Sequence, residues 1–473
     1  MSQFPFKSLR DWIDFLKERG QLVENKEDVD LRGEVAAISR KIALTNGPAV
    51  VHHRIKGYPG WRIFSDGLTT RQRSAWALGI SEDRIVTNLA DKLKRLDKVK
   101  PVIVKDGPCK ELMYFAGQVD LVKLPIAFTG EYDTPPFITA GISNIRDPET
   151  GWQNTGIRRF QLKGKDRLNN LVLPFQHEGI IFAKYIKKNK PAPVAIVIGA
   201  DPLYNLVSLM PAPDQVDEMD TWGAFTGIPL EVVRCETNDL LVPATSEIVI
   251  EGEMDPKERV LEGPFSEFTG FYSGLRMLPV VHVMCVTMRK DCIYQNMYMA
   301  VPTSEAHTMG HLMNEVELLR QIKEFVPEVK DVAILSSWGM VTAVSVDKKA
   351  KVKKPGLVNK IALTVKTVKA SPFVKNVIVV DDDVDPHNVH EILWCMSVKF
   401  QGQKDILVIP DFPGTILDPS EPYLGKGPGV TSYTVFDCTE KPPPYDEAYK
   451  RGVAQPRENY RKLVEEKWGI YGF

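Results

Sequence analysis

The chain has 473 residues, of which 43% are hydrophobic and 26% charged, with a formal net charge of −1. This is ordinary globular composition, long enough for a sizeable core and, at roughly 150 residues per domain, for about three domains. The balanced charge excludes a global field that would draw the chain to nucleic acid or to an anionic membrane.

Ser8 is placed to cap a helix, with Asp11 three residues on. Leu9, Trp12, Ile13 and Leu16 follow at helical spacing, and Gly20 is a stop signal. Mixed short helical and strand patterns then continue, which predicts a small α/β domain over residues 1–105. From 106 to 302 short apolar runs dominate, at 137–142, 171–173, 194–198, 230–233, 247–250 and 280–285. Gly, Pro and Asn/Asp clusters separate them, as in a β-rich domain with many turns. A helix over 303–326 follows, with Met309, Leu312, Met313, Val316, Leu319 and Ile322 on one side and Pro327 to end it. Residues 327–473 read as a second α/β unit. It has strands at 332–335 and 377–380, a helix near 387–398, a Pro-rich turn at 442–444 and a last amphipathic helix near 457–468. The fold class expected is therefore α/β (α+β) in three parts joined by one helix.

Cys109, Cys235, Cys285, Cys292, Cys395 and Cys438 are scattered, with no C-x-x-C pair. That spacing predicts reduced thiols and argues against a disulfide frame or a zinc knuckle. The N-terminus has no apolar run of signal-peptide type, and the apolar stretches fall far below the ~20 residues that span a bilayer. A cytoplasmic protein with no membrane partner and no nucleic-acid partner is expected.

The segment Trp152-Gln153-Asn154-Thr155-Gly156-Ile157-Arg158-Arg159 is followed by Gln176-His177, and Glu218 lies further on between Asp217 and Met219. An amide oxygen, an imidazole nitrogen and a carboxylate together suit a divalent ion such as Mn²⁺ or Mg²⁺. Taken singly, each residue fits a capping, solvated or structural role better than that of a ligand. In Leu261-Glu262-Gly263-Pro264-Phe265-Ser266-Glu267, two carboxylates flank a Gly-Pro turn in an apolar setting. Like charges held close raise one pKa, which suits a proton donor, and a nearby arginine would keep the other carboxylate ionised. An exposed turn with two solvated glutamates is the other reading.

In order, Asn154, Arg159 five residues on, Gln176-His177, Glu218, and Glu262-Gly-Pro-Phe-x-Glu267 resemble the UbiD family of prenylated-FMN-dependent decarboxylases, including the ferulate and cinnamate type. The stretch from Val242 to Gly252 is similar to a family hallmark, and the resemblance runs from about Thr139 to the C-terminus. It implies a split-barrel flavin domain in the centre and a C-terminal oligomerisation domain. It also implies reversible, non-oxidative decarboxylation of an aromatic or α,β-unsaturated acid, in which the modified flavin adds covalently to the substrate and acts as electron sink. Carboxylation of a phenolic compound is the same machinery in reverse; a flavin oxidoreductase is disfavoured because no G-x-G-x-x-G is present. A non-catalytic subunit would be expected to lose the Arg-Glu-Glu set.

Carried over by that resemblance, Asn154, His177 and Glu218 hold a divalent metal, Mn²⁺ or Mg²⁺, that bridges to the cofactor phosphate. Thr139, Asn154, Gly156, Ile157, Arg158, Arg159, Gln176, His177, Pro211, Glu218 and Lys375 would bind the cofactor. Trp152, Ser208, Met210 and Glu218 would hold K⁺. Arg159 orients the substrate carboxylate, Glu267 donates the proton and Glu262 pairs with Arg159. A flavin prenyltransferase would supply the cofactor, CO₂ is the second product, and a homodimer or homohexamer is implied. The chain departs from the pattern at Arg158, where many members carry a small or apolar residue, and at Val207.

Four other signals carry bland readings: His307 and His311 lack a third ligand and the H-E-x-x-H glutamate. Asp381 to Asp383 read as a solvated turn before a helix, and the lysines of 348–375 as a solvated face. Gly425 to Gly429 lack Walker spacing.

Overall fold

The computed structural model describes residues 4–94, 97–421 and 429–472. The first helix, Leu9–Glu18, starts where Ser8 Oγ accepts the Asp11 N–H at 3.1 Å, and it buries Leu9, Trp12, Phe15 and Leu16. It packs beside a four-stranded sheet of Leu22–Val29, Ala49–Ile55, Arg62–Ser65 and Ile293–Gln295. The last of these strands arrives from far downstream and lies parallel to Arg62–Ser65, so the central segment returns to the N-terminal sheet.

The centre is a closed barrel of six strands. Ile248–Glu262 pairs with Ala192–Ile198, then come Phe137–Arg146, Gln153–Leu162, Arg167–Asn170 and Arg276–Met288, and the last pairs back to Ile248–Glu262. Closure removes the unpaired edges that an open sheet would present. The strand Phe137–Arg146 is covered on both faces: every residue except Arg146 is buried. The run at 171–173, expected as a strand, lies just past Arg167–Asn170, and the chain has already left the ladder there.

Ser304 caps the helix Glu305–Phe325, whose side chains Met309, Leu312, Met313, Val316, Leu319 and Ile322 are all buried as their spacing predicts. The C-terminal sheet runs Val329–Ser336, Val341–Val346, Asn376–Asp381, Val430–Asp437, Ile406–Pro413. Asp381 departs from the solvated reading. It is buried at a strand end, accepts the Glu440 N–H at 2.7 Å and faces Lys399 Nζ at 3.4 Å. The helix after it starts at Val389 under an Asn388 cap. Residues 425–428 of the glycine-rich stretch lie outside the described residues. All six cysteines are buried free thiols. Among the described residues no helix is long and apolar enough to cross a membrane.

Candidate active site

Two adjoining cavities lie between the barrel, the long helix and the C-terminal unit. The larger, of about 600 Å³, is lined by Asn154, His177, Ser208, Pro211, Glu218 and Lys369 among others. The smaller, of about 190 Å³, is mostly apolar and takes in Thr139, Arg159, Phe265 and Glu267. Ile157, Arg158, Gln176, Leu209, Trp338 and Phe373 line both, so the cavities meet along a shared wall.

The larger cavity holds the expected metal donors. Asn154 and Thr155 sit on the strand Gln153–Leu162, and both bind Glu218, the first residue of the helix Glu218–Thr226. Asn154 Nδ2 donates to one carboxylate oxygen at 3.0 Å and the Thr155 N–H to the other at 2.8 Å. Burial pushes the Glu218 carboxyl up to about 8, against the pull of the Thr155 N–H bond and the Arg158 charge. His177 opens the helix His177–Lys188. It lines the same cavity, but its Nε2 is held by Asp214 Oδ1 at 2.9 Å rather than by Asn154 or Glu218. Its ring meets Trp152 edge-on at 5.0 Å, and burial lowers its pKa. Among the described residues no three His, Cys, Asp or Glu side chains gather as a metal cage, and the expected trio depends on the Asn154 amide.

Of the backbone oxygens expected around K⁺, that of Trp152 accepts the Asp147 N–H at 2.8 Å, that of Ser208 the Ile157 N–H at 3.3 Å and that of Met210 the Ala212 N–H at 2.7 Å. Ser208 and Met210 line the larger cavity with Glu218, and Trp152 stands behind His177.

In the smaller cavity Arg159 is buried between two carboxylates. Its Nε and Nη2 donate to the two oxygens of Glu262 at 2.7 and 3.2 Å, and its Nη1 donates to Glu267. The guanidinium carbon stands 4.4 Å from the centre of the Phe265 ring, a cation–π contact. Burial works against the guanidinium charge, but Glu267 and Glu262 outweigh it and raise the Arg159 pKa. Alternation along the strand separates the neighbouring arginines. Arg158 Nε instead binds Glu178 at 2.8 Å, and Glu178 also accepts from Ser143 and Asn170. Arg158 thus keeps its own acid and leaves the Arg159 set intact.

Lys375 is placed differently from the expectation. It lies outside both cavities and donates to Asp418 Oδ2 at 2.7 Å and to Ser420. The lysine at the larger cavity is Lys369, which pairs with Asp214 at 3.1 Å. Its position within a lysine-rich stretch hid it. Trp338, Phe373 and Leu417 of the C-terminal unit complete the small cavity, with no periodic signal to mark them. His307 and His311 are packed, not paired on a metal. His307 Nε2 donates to the Phe268 carbonyl at 2.8 Å, and His311 Nε2 accepts the Trp338 N–H at 3.2 Å.

Comparison with known proteins identifies the family to which this barrel and its Arg159, Glu262 and Glu267 pocket belong. Residues 13–93, 100–302 and 307–438 match the N-terminal, Rift-related central and C-terminal domain models of 3-octaprenyl-4-hydroxybenzoate carboxy-lyase. The chain belongs to the UbiD family. It is 33% identical over 475 residues to the phenolic acid decarboxylase of Sedimentibacter hydroxybenzoicus, covering 97% of each chain. Among solved structures it is similar to the UbiD-class enzyme HmfF from Pelotomaculum thermopropionicum in complex with FMN, with TM-score 0.86, 31% identity and 97% and 99% of the two chains covered. It is also similar to an evolved dimeric form of that enzyme in complex with prFMN, with TM-score 0.82, 29% identity and 97% and 98% covered.

Proposed function

We propose that this enzyme decarboxylates an aromatic or α,β-unsaturated acid without net oxidation, using prenylated FMN. The observation that carries the reading is Arg159 shared between Glu262 and Glu267 in a small apolar cavity that opens onto a larger polar one.

The residues present fit the cofactor. The buried Glu218 carboxyl, the Asn154 amide and the nearby His177 would supply donors for Mn²⁺ or Mg²⁺ at a phosphate, and Lys369 adds a positive charge. Gly156 makes room for the Arg158 side chain, since a Cβ there would meet its guanidinium at 2.9 Å. When bound, prenylated FMN supplies an electron sink for the pair left as CO₂ departs.

The side chains divide the remaining work. Glu262 occupies Nε and Nη2 of Arg159 and fixes the guanidinium plane. A substrate carboxylate takes the Nη1 position now held by Glu267 and so frees that carboxyl. Freed from Nη1, Glu267 takes up a proton from solvent and gives it to the carbon that has lost CO₂, so that a C–H bond replaces the broken C–C bond and the carboxylate is restored. The apolar walls from Phe265, Leu171 and Met297 exclude water from that step. The same groups serve carboxylation when CO₂ is abundant.

The test is co-expression with a flavin prenyltransferase under anoxic conditions, followed by CO₂ release from a panel of benzoates, hydroxybenzoates, cinnamates and heteroaryl acids. At least one acid is expected to turn over, and Glu267→Gln is expected to lower the rate about 10²–10⁴-fold with the flavin absorbance retained. No release from any acid by fully loaded enzyme overturns the reading.

A further inference from the structure

The residues on either side of Glu267 are anchored by side chains that the chemistry above does not use. Asp133, fully buried, accepts the Ser266 N–H at 2.9 Å and the Ser266 hydroxyl at 3.1 Å through Oδ1. Its Oδ2 accepts the Gly130 N–H at 2.9 Å. On the other side, His307 Nε2–H holds the Phe268 carbonyl at 2.8 Å. The turn at 130–133 comes so close that a Cβ on Gly130 would stand 2.1 Å from Ser266 Oγ.

A buried carboxylate with no directly bonded cation is costly, and burial pushes Asp133 up to about 6. A neutral acceptor would satisfy an ordinary turn. A charged one makes both bonds to Ser266 charge-assisted, and therefore firmer. We propose that Asp133 is a positioning residue for Glu267: by fixing the Ser266 peptide it keeps the Glu267 carboxyl aimed at Arg159 Nη1 and the small cavity. The proposal rests on Glu267 being the proton donor.

The test uses the full chain loaded with prenylated flavin and an acid that it decarboxylates. Asp133→Ala is expected to lower kcat about 10- to 100-fold, the scale of a small misplacement of a reacting group. KM and flavin content should stay within about twofold. Asp133→Asn, whose amide oxygen keeps both Ser266 bonds, is expected to recover most of the loss. Ser266→Ala, which removes one bond, should fall between wild type and Asp133→Ala. An unchanged kcat in Asp133→Ala overturns the proposal, as does a loss confined to KM or flavin content, or an Asn variant no better than Ala. If Asp133→Ala does not fold, Ser266→Ala decides: a kcat equal to wild type overturns the proposal. In a Glu267→Gln background, Ser266→Ala should cost less than about twofold, because the group being aimed is gone; a full second loss overturns it. Retained turnover in Glu267→Gln alone removes the proton-donor reading instead, so the two failures fall on different variants.

Discussion

Arg159 meets Glu262 as a fork on a fork, Nε to Oε1 at 2.7 Å and Nη2 to Oε2 at 3.2 Å, with both side chains buried. This geometry needs a planar guanidinium, which a lysine ammonium cannot reproduce. Arg159→Lys is expected to abolish measurable CO₂ release. Arg159→Met leaves two buried carboxylates unpaired and is expected to destabilise the fold by about 3–5 kcal/mol, read from urea unfolding. A fully active Lys variant would show that the fork is not needed.

The proposed metal end makes a second expectation. Glu218 and Asn154 are already bonded to one another, so a divalent ion would enter by replacing the Asn154 Nδ2 donor at Glu218 Oε1. Chelation of the purified enzyme is expected to release flavin, and Mn²⁺ to restore its retention, measured as flavin per protein after desalting. Flavin that stays bound through chelation would rule out a metal bridge.

Gly179 lies two residues after His177, and a Cβ on it would sit 2.1 Å from the Leu173 carbonyl oxygen. Backbone cannot yield there as a side chain would. Gly179→Ala should cost about 1–3 kcal/mol and shift the start of the His177 helix. A lower melting temperature and weaker flavin retention are expected together; an unchanged melting temperature would contradict the packing.

Glu305 opens the long helix with its carboxylate bonded to the N–H groups of Asp66 and Leu68, at 3.1 and 2.7 Å. Burial pushes Glu305 up to about 8 and Asp66 up to about 6. Both values lie above their ordinary range, so the folded chain favours the neutral forms. Their stabilisation is present at low pH and is lost as pH rises through about 6 for Asp66 and about 8 for Glu305. Melting temperature should therefore fall across that window, and Glu305→Gln should flatten its upper part. An identical slope in the variant would exclude Glu305 as the source.

The sequence was legible where one face repeats. The caps at Ser8 and Ser304 and the stripe from Met309 to Ile322 mark helices because each needs only local chemistry. The strand Gln153–Leu162 carries no apolar alternation, since its buried Gln153, Asn154 and Thr155 are satisfied by partners far along the chain. The strand Ile248–Glu262 was visible only at its start, because register shifts at Glu251/Gly252 and Met254/Arg259 break the period. Arg159, Glu262 and Glu267 were found through a motif whose spacing survives in sequence. Asp133 and Lys369 reach the site through turns and docked elements, and no local pattern announces them.

The small cavity has two authors. Arg159, Phe265 and Glu267 come from the barrel segment, whereas Trp338, Phe373 and Leu417 come from the sheet that follows the long helix. The stretch proposed to carry proton transfer is thus separate from much of the stretch that shapes the opposite wall. A chimera that exchanges only the latter would recut the chamber for a different ring while leaving Arg159, Glu262 and Glu267 in their native mould.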